Sequence, residues 1–181
     1  MPNWCENDLA VNGPDEEIDR MLKAVFSKDK EDESVCLFPD FDKIIPYPAN
    51  FKELDEQAKS EQEKIEKMSP EERTLYVNEH GHYKDGYNLG GYEWCVANWG
   101  TKWSAKEPRQ FVRAKKKVSL SFDTAWSPPF PIINALSSKF PVLKFSLKYY
   151  ERGMGFSGKL VCSGGEVVEE AQTDYQGSRG G

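Results

Sequence analysis

Four of the five tryptophans in this 181-residue chain fall in three short segments, each beside side chains that carry charge or hydrogen-bond. The segments are Asn3-Trp4-Cys5, Asn98-Trp99-Gly100-Thr101-Lys102-Trp103 and Phe122-Asp123-Thr124-Ala125-Trp126. An indole is a large apolar plate with one N–H donor, and it is placed at low cost only where that donor finds a partner. Two kinds of chemistry fit the pattern. In one, Trp4, Trp99, Trp103 and Trp126 line a pocket and stack on a planar ligand or base, while Asn98, Lys102, Asp123 and Thr124 bind its polar groups. In the other, the indoles staple two parts of the fold together and the Asn and Asp side chains cap the adjoining helix and turn. The two are compatible, because a stapled seam between elements is also where a cleft forms.

Other residues carry weaker signals. Between residues 102 and 117 stand Lys102, Lys106, Arg109, Arg113, Lys115, Lys116 and Lys117 with one acid, Glu107. Such a stretch can meet nucleic-acid phosphates through Arg109, Arg113, Lys115, Lys116 and Lys117, or face the acidic part of its own chain. Glu6, Asp8 and Asp123 could share one sheet face, but no D-x-D or similar metal pattern is present, and a solvated face paired with Lys144 and Lys148 is the simpler reading. His80-Gly81-His82 has no further His or paired Cys to complete a metal site. Gly153-Met154-Gly155-Phe156-Ser157-Gly158 lacks the Lys and following helix of a phosphate loop and reads as a turn. An amine at Pro2, freed by loss of Met1, is better explained by its place before a strand. An enzyme built on Asp123 and Lys102 is a third reading, and the pattern leans away from it. No cofactor and no metal are called for, and no catalytic residue is assigned.

The bulk of the chain sets the frame for these residues. An apolar fraction of 38% with 13% aromatics builds a core, while a mean hydropathy of −0.70 demands solvated helix or loop. No apolar run reaches the roughly 18 residues that would cross a bilayer, and the first residues do not form a signal peptide, so a soluble cytoplasmic protein is expected. Cys5, Cys36, Cys95 and Cys162 are scattered among apolar neighbours and read as buried thiols. The net charge of −6 is uneven: residues 1–80 hold 21 acids and 10 bases, and residues 81–181 hold 9 acids and 14 bases.

The elements that must position the tryptophans follow from periodicity. Residues 3–12 alternate as a strand, with Cys5, Asn7, Leu9 and Val11 to one side and Trp4, Glu6, Asp8 and Ala10 to the other. A helix over 15–27 follows, then a polar loop, then a short strand at Phe41–Ile45 stopped by Pro46 and Pro48. Asn50 and Glu53 open a charged helix with a narrow stripe of Phe51, Leu54, Ala58, Ile65 and Met68. Ser69-Pro70-Glu71-Glu72 starts another helix that Gly81 ends, and a short helix closes at Gly100. Val118, Leu120, Phe122 and Thr124 mark a strand, residues 129–139 a helix, residues 143–150 and 156–163 two strands, and Gly164-Gly165 a hairpin into Val167 and Val168.

The expected fold is α+β: a ferredoxin-like βαββαβ sheet with a helical insertion between strands 2 and 3 and an added C-terminal hairpin. Residues 1–172 form one domain, residues 49–110 its insertion and residues 173–181 a flexible tail. This topology puts the first and third strands side by side at the centre, with Trp4, Glu6 and Asp8 beside Ser119, Ser121 and Asp123 on the face away from the helices. The Trp-lined cleft would lie between that sheet and the insertion.

Four motifs in order resemble the YubB ferredoxin-like family of Api-type phage, plasmid and bacterial proteins. They are Met-Pro-Asn-Trp-Cys-x-Asn-x-Leu-x-Val-x-Gly at the start, Phe-Asp-Lys-Ile-Ile-Pro-x-Pro at 41–48, Trp94-Cys-x-x-Asn-Trp-Gly-Thr-Lys-Trp103, and Phe122-x-Thr-Ala-Trp-Ser-Pro-Pro129. The resemblance spans roughly residues 1–150 and implies the ferredoxin-like fold but no activity. The function expected is a non-enzymatic binding or interaction module with a protein or small-molecule partner. Nucleic-acid binding is the alternative, and no membrane partner is expected.

Overall fold

The computed structural model describes residues 3–27, 37–81 and 84–177. In chain order the elements are β1 (Trp4–Asn12), α1 (Asp15–Val25), β2 (Phe26–Ser27), β3 (Phe38–Pro39), α2 (Phe41–Ile44), α3 (Ala49–Glu66), α4 (Pro70–His80), α5 (Tyr92–Trp99), β4 (Lys106–Ala114), β5 (Lys117–Ala125), α6 (Phe130–Lys139), β6 (Lys144–Glu151), β7 (Phe156–Ser163) and β8 (Glu166–Asp174). Contacts divide the chain into two compact units, Tyr47–Trp94 and the remainder.

The larger unit is built on a six-stranded antiparallel sheet in the order β4-β5-β1-β6-β7-β8. β1 alternates strictly: Cys5, Asn7, Leu9 and Val11 are buried and Trp4, Glu6, Asp8 and Ala10 are half-buried. That period of two gives the strand a core face and an outer face. Leu120, Phe122, Phe145, Leu147 and Tyr149 extend the core face across neighbouring strands, and Ile18 and Met21 of α1 with Ile132, Ile133 and Leu136 of α6 complete the core; all are buried. Reading β1, α1, β4, β5, α6, β6 gives the βαββαβ order with β1 central, so the fold is ferredoxin-like, with β7 and β8 added beyond β6.

The second strand of that unit corrects the sequence reading. Phe41–Ile44 is helical, not extended: Asp40 caps α2, its carboxylate accepting from the Lys43 N–H at 3.4 Å, and Phe41 and Ile44 bury one side. The place of the second strand is taken by β4, so the inserted residues come between α1 and the second strand rather than between the second and third. Pro108 falls inside that strand. It is tolerated because β4 is an edge strand, with an irregular register between Lys106 and Gln110.

The face away from the helices is as the alternation foretold. Glu6 lies opposite Asp123 and Asp8 opposite Ser121 on one side, and Asp8 opposite Lys148 and Asn12 opposite Lys144 on the other. β8 runs to Asp174, two residues past the point where a polar tail was expected, and each of its residues is exposed.

The unit Tyr47–Trp94 is helical. α3 starts after Pro48 with no side-chain cap, so Asn50 does not serve as the expected cap. The Ser69 capping box does form: the Glu72 N–H donates to Ser69 Oγ at 3.3 Å and the Ser69 N–H to Glu72 Oε2 at 2.9 Å. Tyr47 packs on Phe51 and Trp94, with ring centroids 5.7 and 5.6 Å away. No residue of α3 or α4 is buried. Five sequence expectations lie wholly or partly outside the described residues: the Pro2 amine, the loop over 28–34, Cys36, the His82 half of the histidine pair and the tail from residue 178.

Candidate functional site

A belt of hydrogen bonds fastens the segment after α5 to the edge where β5 ends and β1 begins. Gly100 leaves the helix with φ +78, and a Cβ there would stand 2.7 Å from Pro131 Cδ. Only glycine meets both demands without strain. The Thr101 hydroxyl donates to the Ala125 carbonyl at 2.9 Å, and Ser127 Oγ donates to the Gly100 carbonyl at 2.6 Å. Thr124 Oγ1 donates to the Ser127 carbonyl at 2.7 Å and accepts from Asn7 Nδ2 at 2.9 Å, which also donates to the Cys5 carbonyl at 2.9 Å. Asn7, Thr101 and Thr124 are fully or almost fully buried. These small polar groups, rather than the indoles, form the staple.

The tryptophans then divide. Trp99 is core: 7% exposed, its indole N–H donates to the Ile45 carbonyl at 2.9 Å and its ring meets Phe41 edge-on, centroids 6.0 Å apart. Trp4 and Trp103 are half-buried and face one another with centroids 6.2 Å apart and planes tilted by 45°. They bound a groove of about 560 Å³ whose other walls are Ser104, Lys106 and Glu107. Trp126 is 40% exposed, and the Lys102 ammonium lies 4.2 Å from the centroid of its ring and 4.0 Å from that of Trp103. Glu107 and Trp126, with φ of 46 and 70, are two of the three non-glycine residues among the described ones that adopt positive φ. Both stand beside this surface.

The remaining residues singled out from sequence fall elsewhere. Asn98 is half-buried on α5, outside the groove walls. Asp123 is 4% exposed and paired with the Arg109 guanidinium; burial pushes its carboxyl above the ordinary carboxylate range, against the pull of Arg109. Its Oδ1 is buried with no hydrogen-bond partner among the described residues. It does not line the groove. Glu6 is reached by Arg109 at 4.0 Å and Arg152 at 3.0 Å, and Asp8 accepts from Ser121 Oγ at 2.6 Å. The basic stretch is partly spoken for, since Arg113 pairs with Asp15 at 2.8 Å and Asp19 at 3.0 Å. Lys115, Lys116 and Lys117 are exposed where β4 turns into β5.

Cys5, Cys95 and Cys162 are buried, and burial pushes the Cys5 thiol up to about 12. His80 stacks on Tyr76 at 4.3 Å. Among the described residues no group of three His, Cys, Asp or Glu could hold a metal ion, and no helix is long and apolar enough to cross a membrane.

Sequence reasoning missed Ser104, Lys106 and Glu107 as groove walls, and Asn7, Thr101 and Ser127 as staple members. Asn7 did leave a signal, a lone amide in the apolar stripe of β1. Glu107 left none, because its positive φ belongs to an irregularity that only strand pairing defines.

Residues 98–179 match the family model described as a ferredoxin-like domain in Api92-like protein. The chain is also similar to the crystal structure of a protein api92 from Yersinia pseudotuberculosis, with a TM-score of 0.56 and 13% identity over 98% of this chain and 99% of that one. At that identity the likeness shows the fold. The matched stretch covers less than half of the chain. The matched stretch takes in Thr101, Lys102, Trp103, Asp123, Thr124 and Trp126 but not Trp4. The comparison with curated proteins finds no match.

Proposed function

We propose that the chain is a non-enzymatic binding module that takes a flat, apolar-faced group against the groove wall formed by Trp4 and Trp103. The observation that carries this reading is the groove itself. Two half-buried indoles, tilted and 6.2 Å apart, bound a space of about 560 Å³ with Lys106 and Glu107 beside them. That size and mix, aromatic walls with a few charged groups, is what small-ligand and side-chain pockets share. The belt of buried hydrogen bonds supports the reading, because it fixes the walls in advance and lowers the ordering cost of binding. An enzymatic reading has less support, since Asp123 is turned to Arg109 and lies off the groove. A phage or mobile-element origin, the YubB kinship and a cytoplasmic setting belong to this reading and rest on the sequence resemblance.

The test is an indole N–H chemical-shift titration of the isotope-labelled full chain with unlabelled tryptophan amide and with adenosine, as aromatic probes of the two ligand types. Saturable binding of either, lost in Trp4→Ala and Trp103→Ala while both variants keep the wild-type denaturant midpoint, supports the groove. Absence of binding by both probes, or unfolding of both variants, overturns it.

A further inference from the structure

The Lys102 ammonium sits against two indole faces at once, 4.0 Å from the Trp103 centroid and 4.2 Å from the Trp126 centroid. Both distances are well inside the roughly 6 Å range over which a cation is held by an aromatic ring. Among the described residues Lys102 makes no ion pair or hydrogen bond, so the indoles are what hold its charge. The walls are set independently of it. Trp126 is placed by a left-handed backbone, φ 70, and by its main-chain N–H donating to the Asn3 carbonyl at 2.9 Å. Trp103 is placed by the neighbouring Thr101 bond to Ala125 and by contact with Trp4. Lys102 itself lies between α5 and β4 in irregular chain, half-buried, on a flexible four-carbon stem.

We propose that Trp103 and Trp126 form a binding site for an alkylated ammonium group, and that Lys102 is its resident occupant, displaced when such a cation arrives. Two indoles around a cation are the recognition chemistry of quaternary ammonium and methylated lysine. A primary ammonium is strongly hydrated, whereas an alkylated one gives up less hydration to enter an aromatic cage. An arriving alkylated cation therefore has the advantage in the site, and the Lys102 head leaves for water. Because the occupant is tethered, it competes at an effective concentration set by its short stem and weakens the apparent affinity for any free cation. The proposal goes beyond the groove reading. The two sites share only Trp103, and the cation site stands whether or not an aromatic group binds beside Trp4.

The test compares choline with 3,3-dimethylbutan-1-ol, which has the same shape without the charge, on the full chain by tryptophan fluorescence and indole N–H shifts. Lys102→Ala, which empties the site, is expected to bind choline saturably and about five-fold or more tighter than wild type, with the neutral alcohol giving no saturable response. Adding Trp126→Ala to Lys102→Ala is expected to abolish choline binding while leaving the binding of tryptophan amide at the groove unchanged. Lys102→Gln serves as a second emptied variant should Lys102→Ala lose its fold. The proposal is overturned if the emptied variants bind choline no better than wild type. It is equally overturned if the alcohol binds as well as choline, or if Trp126→Ala leaves choline binding intact. Loss of tryptophan amide binding in Trp4→Ala with choline binding retained would confirm two sites, so failure of one reading is distinguishable from failure of the other.

Discussion

Glu6 and Asp123 stand directly opposite one another on β1 and β5, and the Arg109 guanidinium reaches both. Like charges in register on adjacent strands repel, and burial of Asp123 adds to the cost. The edge strand β4 supplies the cation that makes the arrangement tolerable. The carboxyl of Asp123 is still pushed up, with Glu107 and Glu6 adding to the effect of burial. A carboxyl with a raised folded-state pKa binds its proton more tightly folded than unfolded. Its contribution is therefore most favourable at low pH and is lost as pH rises through the folded value. Removing Arg109 raises that value further. Arg109→Met is expected to lower stability by about 1–2 kcal/mol at neutral pH, a figure kept small because the Arg109 side chain is 36% exposed. The gap from wild type should shrink toward about pH 4 as the raised Asp123 carboxyl protonates. Urea denaturation of both proteins at the two pH values checks this; a gap independent of pH would remove Asp123 from the account.

Period and polarity made β1, α1, β5, α6 and β6 legible from sequence, because each sets an apolar face against the core, and the Gly153–Gly155 turn marked β7. The facing of Glu6 and Asp123 followed from topology once β1 and β5 were neighbours. What escaped was edge structure. β4 faces solvent along much of its length and carries Pro108, so its alternation is weak and its pairing is decided by β5 rather than by its own residues. α2 escaped because four residues with Phe41, Ile44 and Ile45 fit a strand pattern as readily as one helical turn; Asp40 was the deciding signal. The Trp set was legible as a group but not in its division. Whether an indole is core or surface depends on which way Gly100 turns the chain, and that is not a matter of composition.

That division is testable by stability alone. Trp99→Ala removes a core indole and its bond to Ile45 and is expected to lose about 3–5 kcal/mol. Trp126→Ala removes a ring that is 40% exposed and is expected to lose no more than about 1 kcal/mol. Chemical denaturation of the two variants separates the roles. Equal losses would mean that the tryptophans act as one structural block.

Thr124 is the junction of the staple, donating to Ser127 and accepting from Asn7. Asn7 Oδ1 already lacks a partner among the described residues, so the network has no spare bond to redistribute. Thr124→Val keeps the shape and removes the hydroxyl, leaving buried groups on both sides unmet. The expected loss is about 1–3 kcal/mol, with Thr124→Ser retaining most of the wild-type stability. Denaturant midpoints for the pair decide it; a harmless valine would show that the belt contributes little.

The basic stretch makes a prediction about charge rather than packing. Of the five residues placed to meet phosphates, Arg109 is engaged by Asp123 and Glu6, and Arg113 by Asp15 and Asp19, which leaves Lys115, Lys116 and Lys117 exposed at the β4–β5 turn. Three lysines can release at most the counterions of three phosphates, so the slope of log K against log salt for duplex DNA is expected to be no steeper than about −2.7. Combined Lys115→Ala, Lys116→Ala and Lys117→Ala should flatten it. A filter-binding or anisotropy titration across salt concentrations reads the slope directly. A value near −5 would mean that both arginines abandon their carboxylates to reach phosphate. The same titration should then show Asp15→Asn combined with Asp19→Asn strengthening DNA binding, because together they free Arg113; without that gain the acidic partners are not what restrains the segment.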